Sequence, residues 1–311
     1  MHEAALLEHI YRLAGELPEA VAIPPGDDMG GIRIGDHLVL VTVDPLVEAV
    51  HFHPGTPLEC IARKAITRNL SDVAAMAAKP CGAVASALLQ RSMPDAEASR
   101  LFDEMQMVAA SFDCPLVGGD ISAHDGPLVL TVTVFAEPAG VEPVRRSTAR
   151  VGDAICVTGE LGGSLLEDDH DAAHHLAFTP RLAAARRLSE NPATRPHAMM
   201  DLSDGLGADL PRLCEASNVT AEIELDMLPV RPTARKQAER SGVEPWHAAL
   251  DDGEDYELLF TLDAAHVPDE IDGLLVARIG TVLERGPAPV RWRIGGKGVE
   301  LPETLGWEHR E

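Results

Sequence analysis

Apolar residues recur along the chain with two spacings, one typical of amphipathic helices and one typical of buried strands. The helical spacing predicts a short opening helix that contains Leu6, Leu7, Ile10 and Leu13, followed by helices over residues 57–78, 95–111, 180–188 and 206–216. Unbroken apolar or Val- and Thr-rich runs predict strands over residues 38–43, 115–117, 128–136, 154–158, 221–225, 256–262 and 276–282, with a hairpin around Gly295. The mixture predicts an α/β (α+β mixed) fold.

A domain boundary is predicted between residues 138 and 150, where the apolar runs pause. The segment begins with Pro138 and Gly140, which interrupt both helices and strands, and a clear strand follows it. The length of 311 residues also exceeds one average domain. We therefore predict two mixed α/β domains, residues 1–138 and residues 150–311.

The chain is strongly acidic, with 50 Asp and Glu residues against 26 Lys and Arg residues and a formal net charge of −24. Such a surface repels phosphate backbones and anionic lipids, so we expect neither nucleic acid nor a membrane as a partner. Any phosphate ligand would need cations other than lysine to offset its charge. The longest apolar stretch, residues 73–89, is interrupted by Lys79 and Pro80, and the five cysteines lack CxxC spacing. We therefore expect a cytoplasmic protein.

The common phosphate-binding loops are absent from the sequence. Residues 295–298 (Gly-Gly-Lys-Gly) lack the Ser or Thr of a P-loop and precede a strand instead of a helix. Residues 205–207 (Gly-Leu-Gly) lack the third glycine of a dinucleotide fingerprint. Neither motif supports a function.

Several aspartates lie at turns or strand ends, where α/β folds present ligands, namely Asp28, Asp44, Asp120 and Asp201. Carboxylate oxygens from several loop ends suit Mg²⁺ held between protein and phosphates. Each aspartate taken alone is also explained as a turn or capping residue. Ser203 has the same two explanations, as a ligand-binding residue or as the N-cap of the helix that follows.

Asp72 lies within a predicted helix instead of a turn. Asn69 and Asp72 share one helical stripe with Ala65 and Met76, so both polar side chains are predicted to lie toward the apolar face. A buried lone carboxylate is costly and needs a partner. Either a metal ion or the basic residues of the same helix, Lys64 and Arg68, would serve.

The histidine-rich segment His170, Asp171, His174 and His175 has the spacing of a metal cluster. It lies in a polar, acidic stretch without a second set of ligands, so the sequence favours a solvated loop. A zinc hydrolase that uses His170 and His174 is the weakest hypothesis. Trp307, near the C-terminus, is a candidate cover for a binding site.

Nearly the whole chain carries, in order, motifs that are found together in one family: Gly26-Asp27-Asp28, Asp44 through Phe52, Lys64 through Met76, Gly118-Gly119-Asp120, Arg146-Ser, Asp201 through Leu206, Gly253 through Leu258, and Gly306-Trp307. The chain resembles the thiamine-monophosphate kinase family, part of the superfamily of aminoimidazole ribonucleotide synthetase and selenophosphate synthetase. The resemblance implies a two-domain aminoimidazole ribonucleotide synthetase-like fold, in which each domain is a mixed sheet with flanking helices. It also implies a homodimer formed through the N-terminal domains.

The resemblance further implies ATP-dependent phosphorylation of thiamine monophosphate to thiamine diphosphate, assisted by Mg²⁺. By motif, the Mg²⁺ ligands would be Asp28, Thr42, Asp44, Asp72, Asp120, Asp201 and Asp204. ATP would contact Gly119, Arg146 and Ser203, and thiamine monophosphate would contact His51, Glu254 and Trp307. The acceptor phosphate is already anionic, so in-line transfer needs no catalytic side chain beyond positioning and metal electrostatics.

Three residues depart from the family pattern. Val43 stands where Thr usually precedes the metal-binding aspartate, Pro45 follows that aspartate, and Asp252 replaces the first glycine of Gly-Gly-Glu-Asp-Tyr. The departures leave two alternatives open: a related ATP-dependent synthetase or kinase acting on another phosphorylated metabolite, and a nucleotide-binding regulator without turnover.

Overall fold

A computed structural model describes residues 6, 9–12, 15, 17–166, 173–302 and 304–307. The first sheet has six strands: β1 (Val21–Ile23), β2 (Gly30–Ile34), β3 (His37–Val47), β4 (Ala78–Gln90), β5 (Leu116–His124) and β6 (Val129–Pro138). Their order is β1-β2-β3-β6-β4-β5, and all neighbours are antiparallel except β4 and β5. Two helices cover one face of this sheet, α1 (Leu58–Ala75) and α2 (Asp95–Ser111).

The two faces of the first sheet differ in burial because side chains alternate along each strand. In β6, Leu130, Val132 and Val134 are buried beneath the helices, whereas Thr131 and Thr133 are only partly buried. The register places Thr42 and Asp44 of β3 opposite Val134 and Val132. Both polar residues therefore lie on the face that α1 covers.

The second domain contains the remaining strands: β7 (Ala154–Thr158), β8 (Ala198–Asp201), β9 (Val219–Glu224), β10 (Leu258–Leu262), β11 (Glu270–Ile271), β12 (Leu274–Glu284), β13 (Val290–Ile294) and β14 (Lys297–Val299). The sheet order is β14-β13-β9-β12-β7-β10-β8, with β11 paired to β12 and a single parallel pair, β9 and β13. The helices of this domain are α3 (His174–Ala177), α4 (Leu182–Glu190), α5 (Leu206–Ala216), α6 (Pro232–Ser241) and α7 (Trp246–Asp251). Short 3₁₀ turns cover Arg146–Thr148 and Leu225–Met227.

Helix α1 contacts both domains. Ile66 and Leu70 belong to the core of the first domain, whereas Ala74 packs in a cluster with Phe260 of the second. Arg63 donates hydrogen bonds to the carbonyl oxygens of residues 177 and 178 at 3.1 and 2.7 Å. Because apolar residues surround α1 on both sides, its polar residues are held between the two domains.

Most predicted elements are confirmed, one differs in length, and the structure contains further elements that were not predicted. The strand predicted over residues 115–117 extends to residue 124, so the Gly118-Gly119-Asp120 motif lies inside β5 instead of in a loop after it. The elements that were not predicted are β1, β2, β4, β8, β11, α3, α6 and α7. Strand β4 is rich in alanine and glycine, and α6 has only alanine on its buried face. Of the opening helix, residues 9–12 are helical, while Leu7 and Leu13 lie outside the described residues. In the described ranges, no helix combines the length and apolar character required to cross a membrane.

Candidate active site

Three aspartates from distant parts of the chain meet between the two domains. Asp28 lies in the loop between β1 and β2, Asp72 lies on α1, and Asp201 is the last residue of the buried strand β8. One carboxylate oxygen from each lies within 4.8 Å of the others. The apolar residues around each position, such as Met29 beside Asp28, fix these backbones and so force three carboxylates together.

The electrostatics of this cluster favour a cation. Burial raises the pKa of Asp72, and the charges of Asp44 and Asp201 raise it further. Burial and the nearby Asp28 likewise raise the pKa of Asp201, although Ser71 donates a hydrogen bond to it at 2.7 Å. Like charges held this close need a compensating ion, and hard carboxylate oxygens are the ligands that Mg²⁺ prefers. The donor set therefore fits Mg²⁺.

Asp28 already has one cationic partner. The guanidinium group of Arg146 donates two hydrogen bonds to the Asp28 carboxylate, at 2.6 and 3.1 Å. The backbone N–H of Arg146 also donates to Asp27 at 3.0 Å. This bidentate pair fixes Asp28 in place, so in the structure Arg146, expected from the resemblance to bind ATP, orients a carboxylate of the cluster.

Thr42 and Asp44 of β3 lie beside the cluster. The Thr42 hydroxyl donates a hydrogen bond to the Asp72 carboxylate, and the Asp44 N–H donates to the side-chain oxygen of Asn69 at 3.1 Å. The predicted inward orientation of Asn69 and Asp72 is thus confirmed. Arg68 lies near Asp44, with a separation of 3.7 Å between Nε and a carboxylate oxygen. Lys64, the other predicted partner of Asp72, instead contacts His175 and Glu254 of the second domain.

Ser203 and Asp204 follow Asp201 in the loop before α5. Their backbone N–H groups donate to Asp209 at 3.0 and 2.9 Å, which fixes the loop. Asp204 accepts a hydrogen bond from Arg212. The N-cap position of α5 is Gly205, with no side-chain cap, so the hypothesis of Ser203 as the N-cap is wrong.

Gly119 and Asp120 lie on β5, away from the cluster. Asp120 pairs with Ser86 of β4, which in turn pairs with Thr131 of β6. This row belongs to the face of the sheet opposite to Thr42 and Asp44, and the Asp120 side chain is exposed. Within one chain, Asp120 is therefore not brought to the cluster. The glycine has a packing role, because a Cβ atom at residue 119 would lie 1.8 Å from the carbonyl oxygen of Ala85.

Two of the sequence departures have structural explanations. Val43 is 56% exposed on that same open face, so a threonine hydroxyl there would not reach the carboxylates. Asp252 lines the cleft, and its carboxylate accepts the Gly163 N–H at 2.7 Å. Asp252 therefore anchors the Gly162-Gly163 turn.

A cleft of about 870 Å³ lies next to the carboxylate cluster and is lined by both domains. Its walls include all three residues predicted to bind the acceptor: His51, Glu254 and Trp307. Asp44, Asp72, Asp201, Ser203 and Asp204 line the same cleft. A ligand that fills the cleft would thus contact both these carboxylates and the predicted acceptor residues.

His174 and His175 were not among the residues predicted to bind a ligand in the cleft, although His175 lines it. His175 is buried, and its Nδ1 contacts Lys64 at 2.7 Å and Glu254 at 2.9 Å. The Nε2 of His174 faces the Asp255 carbonyl oxygen at 2.9 Å and Arg231 at 3.0 Å. The prediction of a solvated loop is therefore wrong for these two histidines, because tertiary packing covers them, whereas His170 and Asp171 lie outside the described residues. A zinc site at His174 is also disfavoured, because its Nε2 already contacts a carbonyl oxygen and the cationic guanidinium group of Arg231.

The Gly253–Glu257 segment has an unusual backbone. Glu254 and Tyr256 have φ angles of +54° and +49°, in the left-handed region that non-glycine residues seldom adopt. The Tyr256 ring stacks on Phe178 at 4.0 Å between centroids. Arg181 pairs with Glu257 and Arg231 with Asp255, so buried ion pairs support the segment. Strain held by surrounding contacts is typical of a functional site.

Comparison with known proteins agrees with this architecture. The family described as AIR synthase related protein, N-terminal domain, matches residues 26–137, and its C-terminal counterpart matches residues 150–292. The fold and the acidic cleft therefore define an AIR synthase related protein. Thiamine-monophosphate kinases from Rhodopirellula baltica and Haemophilus influenzae are 35% and 30% identical to the chain, covering 91% and 99% of it and 90% and 98% of their own lengths.

A solved structure described as AaThiL complexed with AMPPCP and TMP is similar over almost its whole length. Its TM-score is 0.83 and its sequence identity 30%, with 99% of this chain and 97% of that chain covered. The chain belongs to the thiamine-monophosphate kinase family.

Proposed function

We propose that the chain transfers the γ-phosphoryl group of ATP to thiamine monophosphate and so forms thiamine diphosphate. The observation that carries the proposal is the meeting of Asp28, Asp72 and Asp201 beside a cleft, which Asp72 and Asp201 line together with the predicted acceptor residues. Family membership and the similarity to a structure described as holding AMPPCP and TMP support the same reaction. The carboxylates and the wall would place donor and acceptor in one cavity.

The three clustered aspartates would hold Mg²⁺, with Asp44 and Asp204 as further carboxylates of the same cleft. When bound, Mg²⁺ would neutralise charge on the phosphoryl oxygens beside the carboxylates. Arg146 holds Asp28 through its bidentate pair, and the Thr42 hydroxyl holds Asp72. The side chains of this chain thus fix the carboxylates before a ligand arrives.

His51 is suited to binding the acceptor and not to removing a proton. Its Nδ1 accepts the backbone N–H of Val47 at 2.9 Å, so the neutral ring carries its proton on Nε2. A ring N–H donates a hydrogen bond to an anion such as a phosphate. Because the acceptor phosphate supplies its own anionic oxygen as the nucleophile, the reaction needs no base from the protein.

The proposal is tested by incubating the protein with ATP, Mg²⁺ and a panel of phosphorylated acceptors, with products read by mass spectrometry. We expect thiamine diphosphate, and a loss of at least about a hundredfold in rate for Asp201→Asn. Asp263→Asn is the matched control, because that carboxylate is 58% exposed and lies outside the cleft. Transfer only to another acceptor would favour a related kinase or synthetase, and ATP binding without turnover would favour a regulator.

The pH dependence of the rate tests the role of His51. Saturating rates should fall as the pH drops through about 6, where a phosphate monoester takes up its second proton. His51→Asn should weaken acceptor binding but keep this acidic limb, since the titrating group belongs to the substrate. Disappearance of the limb in the variant would make His51 a catalytic base and would contradict the mechanism.

We also propose that residues 1–138 bind ATP and metal and form a homodimer, and that residues 150–311 complete the active site. The open face and edge strand of the first sheet support a dimer, because Val43, Val117 and Ile121 are 56%, 70% and 59% exposed there. Light scattering that shows a monomer at micromolar concentration would contradict it. The five cysteines are all unpaired, which supports a reducing compartment such as the cytoplasm.

A further inference from the structure

Lys64 on α1 is completely buried although it lies beside the cleft. Lysine is seldom buried to this extent, because an ammonium group removed from water requires compensating partners. Lys64 is not among the residues that line the cleft, whereas His51, His175 and Glu254, which surround its amine, do line it. Lys64 thus lies in the second layer of residues around the cleft, in contact with three residues that line it.

The amine of Lys64 contacts three polar groups. It donates to the carbonyl oxygen of His51 at 2.7 Å, contacts Nδ1 of His175 at 2.7 Å and forms a close ion pair with Glu254. Nδ1 of His175 also lies 2.9 Å from the Glu254 carboxylate, so it accepts from Lys64 in one tautomer and donates to Glu254 in the tautomer that carries a proton on Nδ1. His51 belongs to the first domain and the other two partners to the second, so a single amine joins both sides of the wall.

The charges of Lys64 and Glu254 compensate each other. Burial lowers the pKa of Lys64 to about 8 against the opposing effect of Glu254, so the ammonium form prevails at pH 7. Burial alone would raise the pKa of Glu254, but its contacts with His175 and Lys64 prevail and lower that pKa to about 2. Glu254 is consequently a carboxylate throughout the physiological range.

The position of Glu254 also depends on these contacts. Its φ angle of +54° is unfavourable for a residue with a side chain, so surrounding interactions must hold it. The backbone N–H donates to the Ser203 carbonyl oxygen at 2.7 Å, and Lys64 and His175 both contact the same carboxylate oxygen, Oε2. Glu254 remains 19% exposed at the cleft surface. Because Lys64 and His175 contact its buried side, the Glu254 carboxylate is fixed in place while its exposed side can interact with a ligand in the cleft.

We propose that Lys64 is a positioning residue that determines acceptor affinity, by holding the Glu254 carboxylate in place as the anionic partner of the cationic thiazolium ring. This inference rests on the proposed function, since the same cleft must bind thiamine monophosphate. Lys64 lies outside the carboxylate cluster, which contains Asp28, Asp72 and Asp201. Its influence is therefore confined to binding of the acceptor and does not extend to ATP or to the transfer step.

The test measures KM for each substrate in Lys64→Met, which keeps the length of the side chain and removes its charge. We expect KM for thiamine monophosphate to rise by about tenfold or more, as for a lost hydrogen bond to a charged group. KM for ATP and kcat should stay within about threefold of the wild-type values. Lys64→Arg should recover part of the affinity, because it retains the positive charge. Lys79→Met, at a lysine with a 54% exposed side chain, is the matched control.

A double variant keeps the test decisive if Lys64→Met does not fold. Lys64→Met combined with Glu254→Gln leaves no unpaired buried charge, so it avoids the cost of removing one partner only. If Lys64 acts through Glu254, the double variant should have the same KM for thiamine monophosphate as Glu254→Gln alone. The proposal would be overturned if the double variant raised KM for thiamine monophosphate by the product of the increases that the two single variants cause, because the two residues would then act independently.

The failure of this inference is distinguishable from failure of the proposed function. A wild-type protein that does not phosphorylate thiamine monophosphate would refute the proposed function. An active wild-type protein whose KM for thiamine monophosphate is unchanged in Lys64→Met would refute the role of Lys64 alone. Equal rises in KM for ATP and for thiamine monophosphate would also refute it, because they would show a general loss of domain packing.

Discussion

Replacing Asp72 with asparagine should stabilise the metal-free protein and abolish its turnover. Asp72 lies within 4.8 Å of carboxylate oxygens of Asp28 and Asp201, and burial together with nearby carboxylates raises its pKa. Asparagine has almost the same shape, and its side-chain oxygen can still accept the hydrogen bond that Thr42 donates. The substitution therefore removes one negative charge and little else.

The size of both effects follows from the geometry. Two like charges 4.8 Å apart repel by about 3 kcal/mol at an effective dielectric constant of ~20. Relaxation of the surrounding side chains reduces this repulsion, so we expect a gain of about 1–3 kcal/mol in the free energy of unfolding without metal. A cation and nucleotide at a hundred times their Kd stabilise a protein by about 2.7 kcal/mol, and most of that should be lost.

The assay is thermal unfolding with a chelator and again with saturating Mg²⁺ and a non-hydrolysable ATP analogue. Asp72→Asn should raise Tm in the chelator and reduce the ligand-induced rise, whereas Asp263→Asn, at an exposed carboxylate, should change neither. A lower Tm in the chelator with an undiminished ligand effect would refute the charge-repulsion argument. Near-normal turnover by Asp72→Asn would refute its role as a metal ligand.

Three further predictions concern residues around the site. Val43→Thr should leave kcat/KM within about twofold of wild type, since the exposed side chain lies on the face opposite to the carboxylates; a large loss in steady-state assays would place it near the metal. Gly119→Ala should lower the free energy of unfolding by about 2–3 kcal/mol in urea titrations, because its Cβ would clash with Ala85, and an unchanged midpoint would contradict this. Burial raises the pKa of Asp255 and Asp209 to about 7 in the folded protein, above the value of about 4 for an aspartate in the unfolded chain. Their contribution to the free energy of unfolding is therefore fully present below about pH 4 and is lost as the pH rises through 7. Tm of the metal-free protein should fall across that range, and less steeply for Asp209→Asn; equal slopes would rule out a contribution from Asp209.

The sequence by itself determined the elements whose apolar spacing is regular. The predicted bounds of Asp95–Ser111, Leu206–Ala216 and Ala154–Thr158 agree with the structure, because the two helices repeat apolar residues with the helical period and the strand is an unbroken apolar run. The same periodicity predicted that Asn69 and Asp72 lie toward an apolar face. Strand β4 escaped prediction, because alanine and glycine carry little preference for a strand and its apolar run continues from α1.

The family motifs predicted the carboxylates that cluster and three residues that line the cleft, but only the tertiary structure decided which side chains meet. Lys64 and Glu254 are 190 residues apart and pair because α1 packs against the second domain, whereas the helical stripe alone suggested Asp72 as the partner of Lys64. Strand register likewise decided that Asp120 and Val43 lie on the open face of the sheet. A local pattern specifies how a segment folds and which face it buries. The partner of a buried charge depends on how distant segments dock, and that geometry is set by the packing of both domains together.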